Sequence, residues 1–405
     1  MTKLIIFLAL LPFAVFSQGY QVNLQGQAQQ GMGSAGSGFV QDAAGIFYNP
    51  GGTAFLNSNE ASIGISPTFA NATFLENGTS ELARTNSPVG TPFTAYGLFQ
   101  LKDSSRLKLG LGIYTPFGST IEWEDAWVGR FALTRLQLKA IFFQPTVSFR
   151  ITDKIGLGAG FIWTTGSVNL QKDLPLIDQD GNFAHAELAG KGNGFGYNVG
   201  LYLKPTKHLV LALTYKSQIN MELENGTATF TVPSSLEDKF PSGIFTSSLP
   251  LPQVATLGIG VQPNDKLALA LDMNYIGWNA YDTLAFDYEV NTESLEDTKS
   301  ARNYVGSVAV RLGAQYKITD KYTARLGLGY AISPVLDGYL TPETPDANRI
   351  NYTIGVGYTL NKSFDLNASL LYTQVEREDT NIETQLSGTY KARVFAPGFS
   401  VSYKF

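Results

Sequence analysis

Apolar and polar residues alternate with a period of two along most of this chain. Leu267, Leu269, Leu271, Met273 and Tyr275 alternate with Ala268, Ala270, Asp272 and Asn274. Val308, Val310, Leu312, Ala314, Tyr316 and Ile318 alternate with Ala309, Arg311, Gly313, Gln315 and Lys317. Tyr322, Ala324, Leu326, Leu328 and Tyr330 form a third set, and Phe364, Leu366, Ala368, Leu370 and Tyr372 a fourth. Successive side chains of a strand point to opposite faces, so each run predicts a strand with one apolar face and one polar, charged or Gly face.

A soluble sandwich would give the same alternation, and the connections separate the two readings. Short polar turns recur at residues 102–106, 152–154, 205–207, 263–265, 319–321 and 361–363. Longer connections lie between them, at residues 70–90, 115–133, 171–191, 222–253, 279–302, 333–348 and 377–389. Short periplasmic turns opposite long outer loops are the mark of an outer-membrane barrel, here predicted to be all-β and antiparallel with about 14 transmembrane strands. Residues 136–151, 155–170 and 303–318 form runs of 16 residues each, beyond the roughly 9–11 needed to cross a bilayer. The last run, Phe399, Val401, Tyr403 and Phe405 alternating with Ser400, Ser402 and Lys404, resembles the C-terminal signal read by the outer-membrane assembly machinery. The plain reading of the same run is an amphipathic edge strand, which barrel closure would protect.

Composition agrees with strands rather than helices. Charged residues are 16% and mean hydropathy is -0.02, too low for helical spans of about 20 apolar residues each. The chain has no cysteine and only His185 and His208. That removes a disulfide scaffold, a thiol nucleophile and a Cys-ligated metal, and leaves little for a Ser-His triad. A net charge of -5 speaks against a nucleic-acid surface. No catalytic residue, metal or cofactor is expected.

Residues 1–17 read as an export signal, with Lys3 before an apolar run over residues 4–16, small Val15 and Ser17, and cleavage before Gln18. A membrane anchor is the alternative, but the run is short and holds Pro12. Residues 18–59 are rich in Gly, Ala, Ser and Gln, yet carry Phe39, Val40, Ile46, Phe47 and Tyr48. They form either a linker or a plug inside the barrel of residues 60–405. A short helix is expected over residues 43–47, started by Asp42 and ended by Asn49-Pro50.

The segment Gly33-Ser-Ala-Gly36, Asp42-Ala-Ala-Gly45 and Tyr48-Asn-Pro-Gly-Gly52 resembles the N-terminal hatch signature of the FadL/OmpP1/TodX family. Family members commonly have Asn-Pro-Ala here, whereas this chain has Gly51. Gly112-Ile-Tyr-Thr-Pro-Phe-Gly118, Trp127-Val-Gly-Arg-Phe131 and residues 145–160 extend the likeness over nearly the whole mature chain. The resemblance implies a barrel occluded by a hatch, with Asp42, Phe47, Asn49, Pro50 and Gly51 at the gate. It also implies passive uptake of long-chain fatty acids or aromatic hydrocarbons, with entry through a groove in the outer loops, an interior pocket and a sideways exit near the third strand.

An apolar cargo needs an apolar path, because its hydration is unfavourable. Phe117, Trp123, Trp127 and Phe131 lie in one outer connection, Leu174, Leu176, Ile177 and Phe183 in another, and Phe240, Ile244, Phe245 and Leu249 in the longest. They either line a groove or pack the loops together. Lys139, Lys216, Arg311 and Arg325 fall on expected inward faces, with Arg130 and Arg135 just before the fourth strand. Any of them either binds a cargo carboxylate or pairs with a lumen acid. Gly112, Pro116 and Gly118 weaken the third strand, as a wall break or a simple strand end. The expected partners are a hydrophobic ligand, outer-membrane lipid and lipopolysaccharide, and the assembly machinery at Phe405. An outer-membrane enzyme and an adhesive barrel are the competing classes; His208, in a short turn, sits on the wrong side for an outward active site.

Overall fold

The computed structural model describes residues 19–405 except 101, 103 and 104. The export segment and its cleavage position lie outside the described residues. Fourteen antiparallel strands are found among these. They are β1 (Glu60–Ile65, continued by Phe69–Glu76), β2 (Leu82–Arg84 and Phe93–Gln100), β3 (Leu107–Glu122), β4 (Arg135–Arg150), β5 (Ile155–Ile177), β6 (Phe183–Thr206) and β7 (Leu209–Lys216 and Ile219–Thr231). Then follow β8 (Gly243–Leu251 and Val254–Val261), β9 (Leu267–Ile276 and Thr283–Tyr288), β10 (Thr298–Ala301 and Ser307–Lys317), β11 (Tyr322–Ala331), β12 (Arg349–Thr359), β13 (Phe364–Thr380) and β14 (Ser387–Lys404). Each strand pairs with the next, and β14 returns to β1 from Glu60↔Lys404 to Glu76↔Gly388, closing the barrel.

The outer surface is a belt of exposed apolar side chains, among them Ile63, Phe161, Leu213, Leu312, Leu326, Ile354 and Phe399. A soluble protein does not expose so large a continuous patch. Aromatic rows bound the belt. The pairs Tyr322–Tyr358 and Phe364–Tyr403 lie at one edge, and the row Tyr352, Tyr372, Phe395 and Phe69 at the other. Phe364 and Tyr372 are eight residues apart. At about 3.4 Å per residue and a tilt of about 40° that is about 20 Å, close to the height of a membrane barrel's apolar band.

The long connections are shorter than the alternation predicts. β5 and β6 run 23 and 24 residues, leaving only residues 178–182 as the turn, and residues 222–253 and 377–389 are likewise mostly strand. The strands continue into water because the ladder still satisfies the backbone. They lose their apolar outer face there, which is why the pattern reads as loop. Residues 123–134 and 332–348 are largely irregular.

Residues 24–37 and 43–54 are mostly buried and lie inside the barrel against β3, β4, β5, β6, β12, β13 and β14. They contain three single-turn helices: α1 (Gln27–Gln30), α2 (Gly45–Tyr48) and α3 (Pro50–Thr53). Asn49-Pro50 ends α2 as expected and also starts α3, with Pro50 in its first turn and the Asn49 side chain accepting from Gly51 N at 3.0 Å. Wall glycines give the segment room. A methyl at Gly327 would stand 1.9 Å from Gly33 N, one at Gly260 2.0 Å from Gly38 O, and one at Gly158 2.3 Å from the Pro50 carbonyl carbon. Backbone therefore packs directly on backbone at several points round the lumen. Gly33 also needs its φ of 69°.

The contact explains the Gly51 departure. A Cβ there would lie 2.5 Å from Gly200 O and 2.8 Å from Gly156 O. Gly51→Ala is expected to lower hydrogen-exchange protection of the amides around residues 45–53 by about 1–3 kcal/mol, while barrel strands keep theirs. Unchanged protection would mean that the wall yields at no cost.

Candidate functional site

The wall ladder parts between β2 and β3. These strands pair from Gln100↔Lys108 up to Thr94↔Tyr114 and then part. Contact resumes at the outer rim, in the Thr85↔Trp123 bridge and the 2.8 Å bond from Asn86 N to Glu122 O. On its other side β3 shifts register against β4 between Tyr114 and Phe117. Pro116 sits in that bulge, where it has no N–H to offer a ladder. Gly118 lies just past it, paired with Lys139. Gly112 is still within the regular ladder, and its missing side chain makes room for Ile46, whose Cγ2 would be 3.1 Å from a Cβ.

The N-terminal tail covers the freed edge. Gln21 bridges Phe117, Val22 N donates to Pro116 O at 2.8 Å, and Gly118 N donates to Tyr20 O at 3.2 Å. Gln25 Nε2 adds a bond to Thr115 O at 2.9 Å. The result is a short added strand on the inner side of the gap.

A cavity of about 660 Å³ opens here, within the size range of small-molecule sites. Its lining includes inward residues, Leu24, Leu138, Ala140 and Leu371, and residues of the exposed outer face, Lys139 and Arg393. One cavity therefore reaches both sides of the wall. Above it, an aliphatic pocket of about 50 Å³ is lined by Leu136, Val168, Leu170, Leu223, Leu249 and Phe286, among others. Tyr20 and Leu138 border both. The Tyr20 ring stands edge-on to Trp278, Tyr281 and Phe117, at 4.8, 5.7 and 6.1 Å, and its hydroxyl donates to Pro250 O at 2.7 Å.

The lumen changes character across the N-terminal segment. On the outer side it is apolar and aromatic, with Phe74, Trp123, Phe245 and Trp278 all buried. On the periplasmic side it is charged: Glu60 and Lys108 are buried, Lys404 pairs with Asp365, and Arg325 bonds Gln315 at 2.7 Å and Asn367 at 2.9 Å. Burial raises the Asp42 carboxyl above its ordinary range, against the bond from Gln29 and the charge of Arg325.

The residues marked out by sequence do not converge on one place. Phe117 lines the window cavity. Trp127 is buried, stacked on Trp123 at 4.2 Å. Arg130 lies at the outer rim against the rings of Phe131 and Phe183, at 4.9 and 4.7 Å, and Arg135 pairs with Glu122 at 3.6 Å. Arg311 is spent on Asn274 and Asn23, at 2.8 and 3.0 Å, and Lys216 lies 3.4 Å from the centre of the Phe47 ring. Lys139 points outward, not inward: Leu138, Ala140 and Phe142 take the inner face of β4, because the outer half of the lumen is apolar and reverses the usual rule. Asn49 ties the segment to the wall, its Nδ2 donating to Ser37 O and Leu201 O at 3.2 and 3.1 Å. Gln144 and Asn198 donate to Ile46 O.

Sequence reasoning missed Arg349. It opens β12 on the same face as Asn351 and Thr353, lines the window cavity, and its Nε is buried without a hydrogen bond. Asp346 faces it with opposite charge while also accepting from Gly19 N and Ser333 Oγ, and Glu343 pairs with Arg302 at 2.9 Å. The inward parity of Asn351 and Thr353, extended back two residues, was the available signal.

A closed barrel with a lipid-facing belt and a cavity through its wall defines an outer-membrane protein of the transporter class. The chain belongs to the outer membrane protein transport family OMPP1/FadL/TodX, whose model matches residues 8–405. It is 22% identical to the long-chain fatty acid transport protein of Salmonella typhi, covering 99% of this chain and 98% of that one. It is 23% identical to a 47 kDa outer membrane protein of Pasteurella multocida, covering 93% and 92%. Among solved structures, a Pseudomonas aeruginosa FadL homologue superposes with a TM-score of 0.83 at 20% identity, covering 96% and 100%. The Ralstonia pickettii toluene transporter TbuX does so at 0.72 and 16% identity, covering 95% and 99%. The protein is an outer-membrane transporter of hydrophobic compounds.

Tyr20→Ala is expected to merge the two cavities and raise the permeation of an apolar probe into proteoliposomes several-fold. An unchanged rate would remove Tyr20 as a barrier.

Proposed function

We propose that the chain takes up long-chain fatty acids passively, with residues 19–59 acting as the hatch. Cargo enters the apolar outer lumen, passes Tyr20 into the window cavity and leaves sideways between β2 and β3 into the membrane. The observation that carries the reading is the single cavity bordered by both faces of the wall. The charged, filled periplasmic half of the lumen supports it: an alkyl chain would lose its apolar surroundings by continuing downward and keeps them by turning into lipid. Arg349 is the cation placed to meet a carboxylate, as a guanidinium can in a bidentate pair.

The hatch acts through its tail. Residues 20–22 must leave the β3 edge before the window is fully open. Gln21 and Phe117 form the non-hydrogen-bonded kind of antiparallel pair, whose Cα atoms lie about 4.5 Å apart, within disulfide reach. The chain has no cysteine of its own. With Gln21→Cys and Phe117→Cys together, oleate uptake should fall on oxidation and return on reduction, while Phe117→Cys alone responds to neither. Equal uptake in both redox states of the double variant would rule the gate out.

Aromatic hydrocarbon uptake is the second reading, favoured by the Tyr20, Phe117, Trp278 and Tyr281 rings along the route. Arg349→Gln separates the two. A fatty-acid channel should lose roughly tenfold in oleate affinity and keep toluene permeation. A variant that binds oleate as wild type does would exclude Arg349 as the carboxylate partner and favour the hydrocarbon.

A further inference from the structure

The outer face of the barrel next to the window carries a second constellation, built by the registers of β13, β14, β1 and β2. Tyr372, Phe395 and Phe69 stand side by side in one row of the upper aromatic girdle. One row further out come Gln374, Arg393 and Asn71. The next row is Glu376, Lys391, Thr73 and Arg84. These residues share the outward parity, and Arg84, Lys391 and Arg393 are exposed. With strands about 4.8 Å apart and about 3.4 Å per residue, the three cations stem from backbone positions within about 12 Å of one another.

Three cations meet two acids in this patch, Glu376 and Glu124, whose Oε1 accepts from Arg84 N at 3.1 Å. Lys391 is partly neutralised by Glu376, at 3.1 Å. Arg393 is flanked by Gln374 and Asn71, which bring amide donors and no negative charge. The Gln374 carbonyl oxygen accepts from the Tyr372 hydroxyl at 3.2 Å, which leaves its amide nitrogen as the remaining donor. The height matters as much as the charge. Arg393 lies two residues beyond Phe395, where the apolar belt ends and headgroups begin, on the side of the barrel with the long connections.

We propose that this patch binds the phosphate-bearing headgroup of an outer-leaflet glycolipid such as lipopolysaccharide. Arg393, Lys391 and Arg84 take the phosphate charge, Gln374 and Asn71 donate to its oxygens, and acyl chains lie over Tyr372, Phe395 and Phe69. Clustered cations with neutral donors suit a phosphate, which carries more charge and more acceptor oxygens than a carboxylate. The apolar floor below is the lipid-facing belt rather than the lumen, so the occupant is a resident lipid and not cargo in transit. Asn71 and Arg393 also border the window cavity, so the bound lipid stands at the edge of the exit.

The test is native mass spectrometry of the detergent-purified chain with bisphosphorylated lipid A, dephosphorylated lipid A, inorganic phosphate and oleate. Wild type should hold bisphosphorylated lipid A roughly tenfold more tightly than Arg84→Gln/Lys391→Gln/Arg393→Gln. It should hold the dephosphorylated form no better than that variant does. Arg393→Lys keeps the charge and should fall between them, which guards against a folding artefact, as does an unchanged heat-dependent gel shift. Equal binding by wild type and triple variant overturns the proposal. So does displacement of lipid A by oleate, which would make the patch a cargo site, or equal affinity for free phosphate, which would make it a simple anion patch. The readout is binding without transport, so it stands or falls separately from the uptake reading.

Discussion

An unpaired strand edge cannot be left facing lipid, because hydrocarbon offers its N–H and C=O groups no partner. Most junctions in this barrel obey that rule with long ladders, β6–β7 and β8–β9 after register shifts; the β2–β3 junction departs from it partway up. The parting is tolerable because the chain brings its own tail to part of the freed edge, with Tyr20 and Val22 bonded to the backbone around Pro116. A seal made of the N-terminal segment has a property that a wall strand lacks. On the uptake reading proposed above, it is withdrawn without dismantling the barrel, which would make a structural necessity a means of control.

The same segment divides the lumen by chemistry. Its outer side meets Trp278, Tyr281 and the aliphatic pocket, while its other side meets Glu60, Lys108 and the Asp365–Lys404 pair. A hydrophobic molecule that arrives from outside finds favourable surroundings only as far as the window. On the passive-uptake reading proposed above, direction is set by where apolar surface ends. Polar groups in the lower half are costly unless paired, and most of those described above are spent on one another.

Close packing of the segment depends on glycine in the wall. Gly327 against Gly33, Gly260 against Gly38 and Gly156 against Gly51 bring backbone to backbone without intervening side chains. Shape is joined by hydrogen bonds along the segment, with Gly36 N and Ser37 N donating to the Asp272 carboxylate at 3.0 and 2.9 Å and Gly33 N to Thr353 Oγ1 at 2.8 Å. Asn49, with its amide bonded to both the segment and β6, anchors the end far from the tail that covers β3.

The alternation of Leu269, Leu271 and Met273, the turns between strands and the Gly-rich opening segment determined the barrel, its strand number and the presence of something inside it. These are local patterns, imposed by the pleat and by lipid, and each strand displays them alone. Placement of the candidate site was decided elsewhere. Lys139 reads as a lumen residue until the apolar outer lumen claims Leu138 and Ala140. Gly112 reads as a weak point until Ile46 is found filling its space. Arg349 acquires meaning only when β3, β12, β13 and the tail meet round one cavity. Those relations join positions hundreds of residues apart, and a period of two along the chain holds no record of which distant surface each side chain will face.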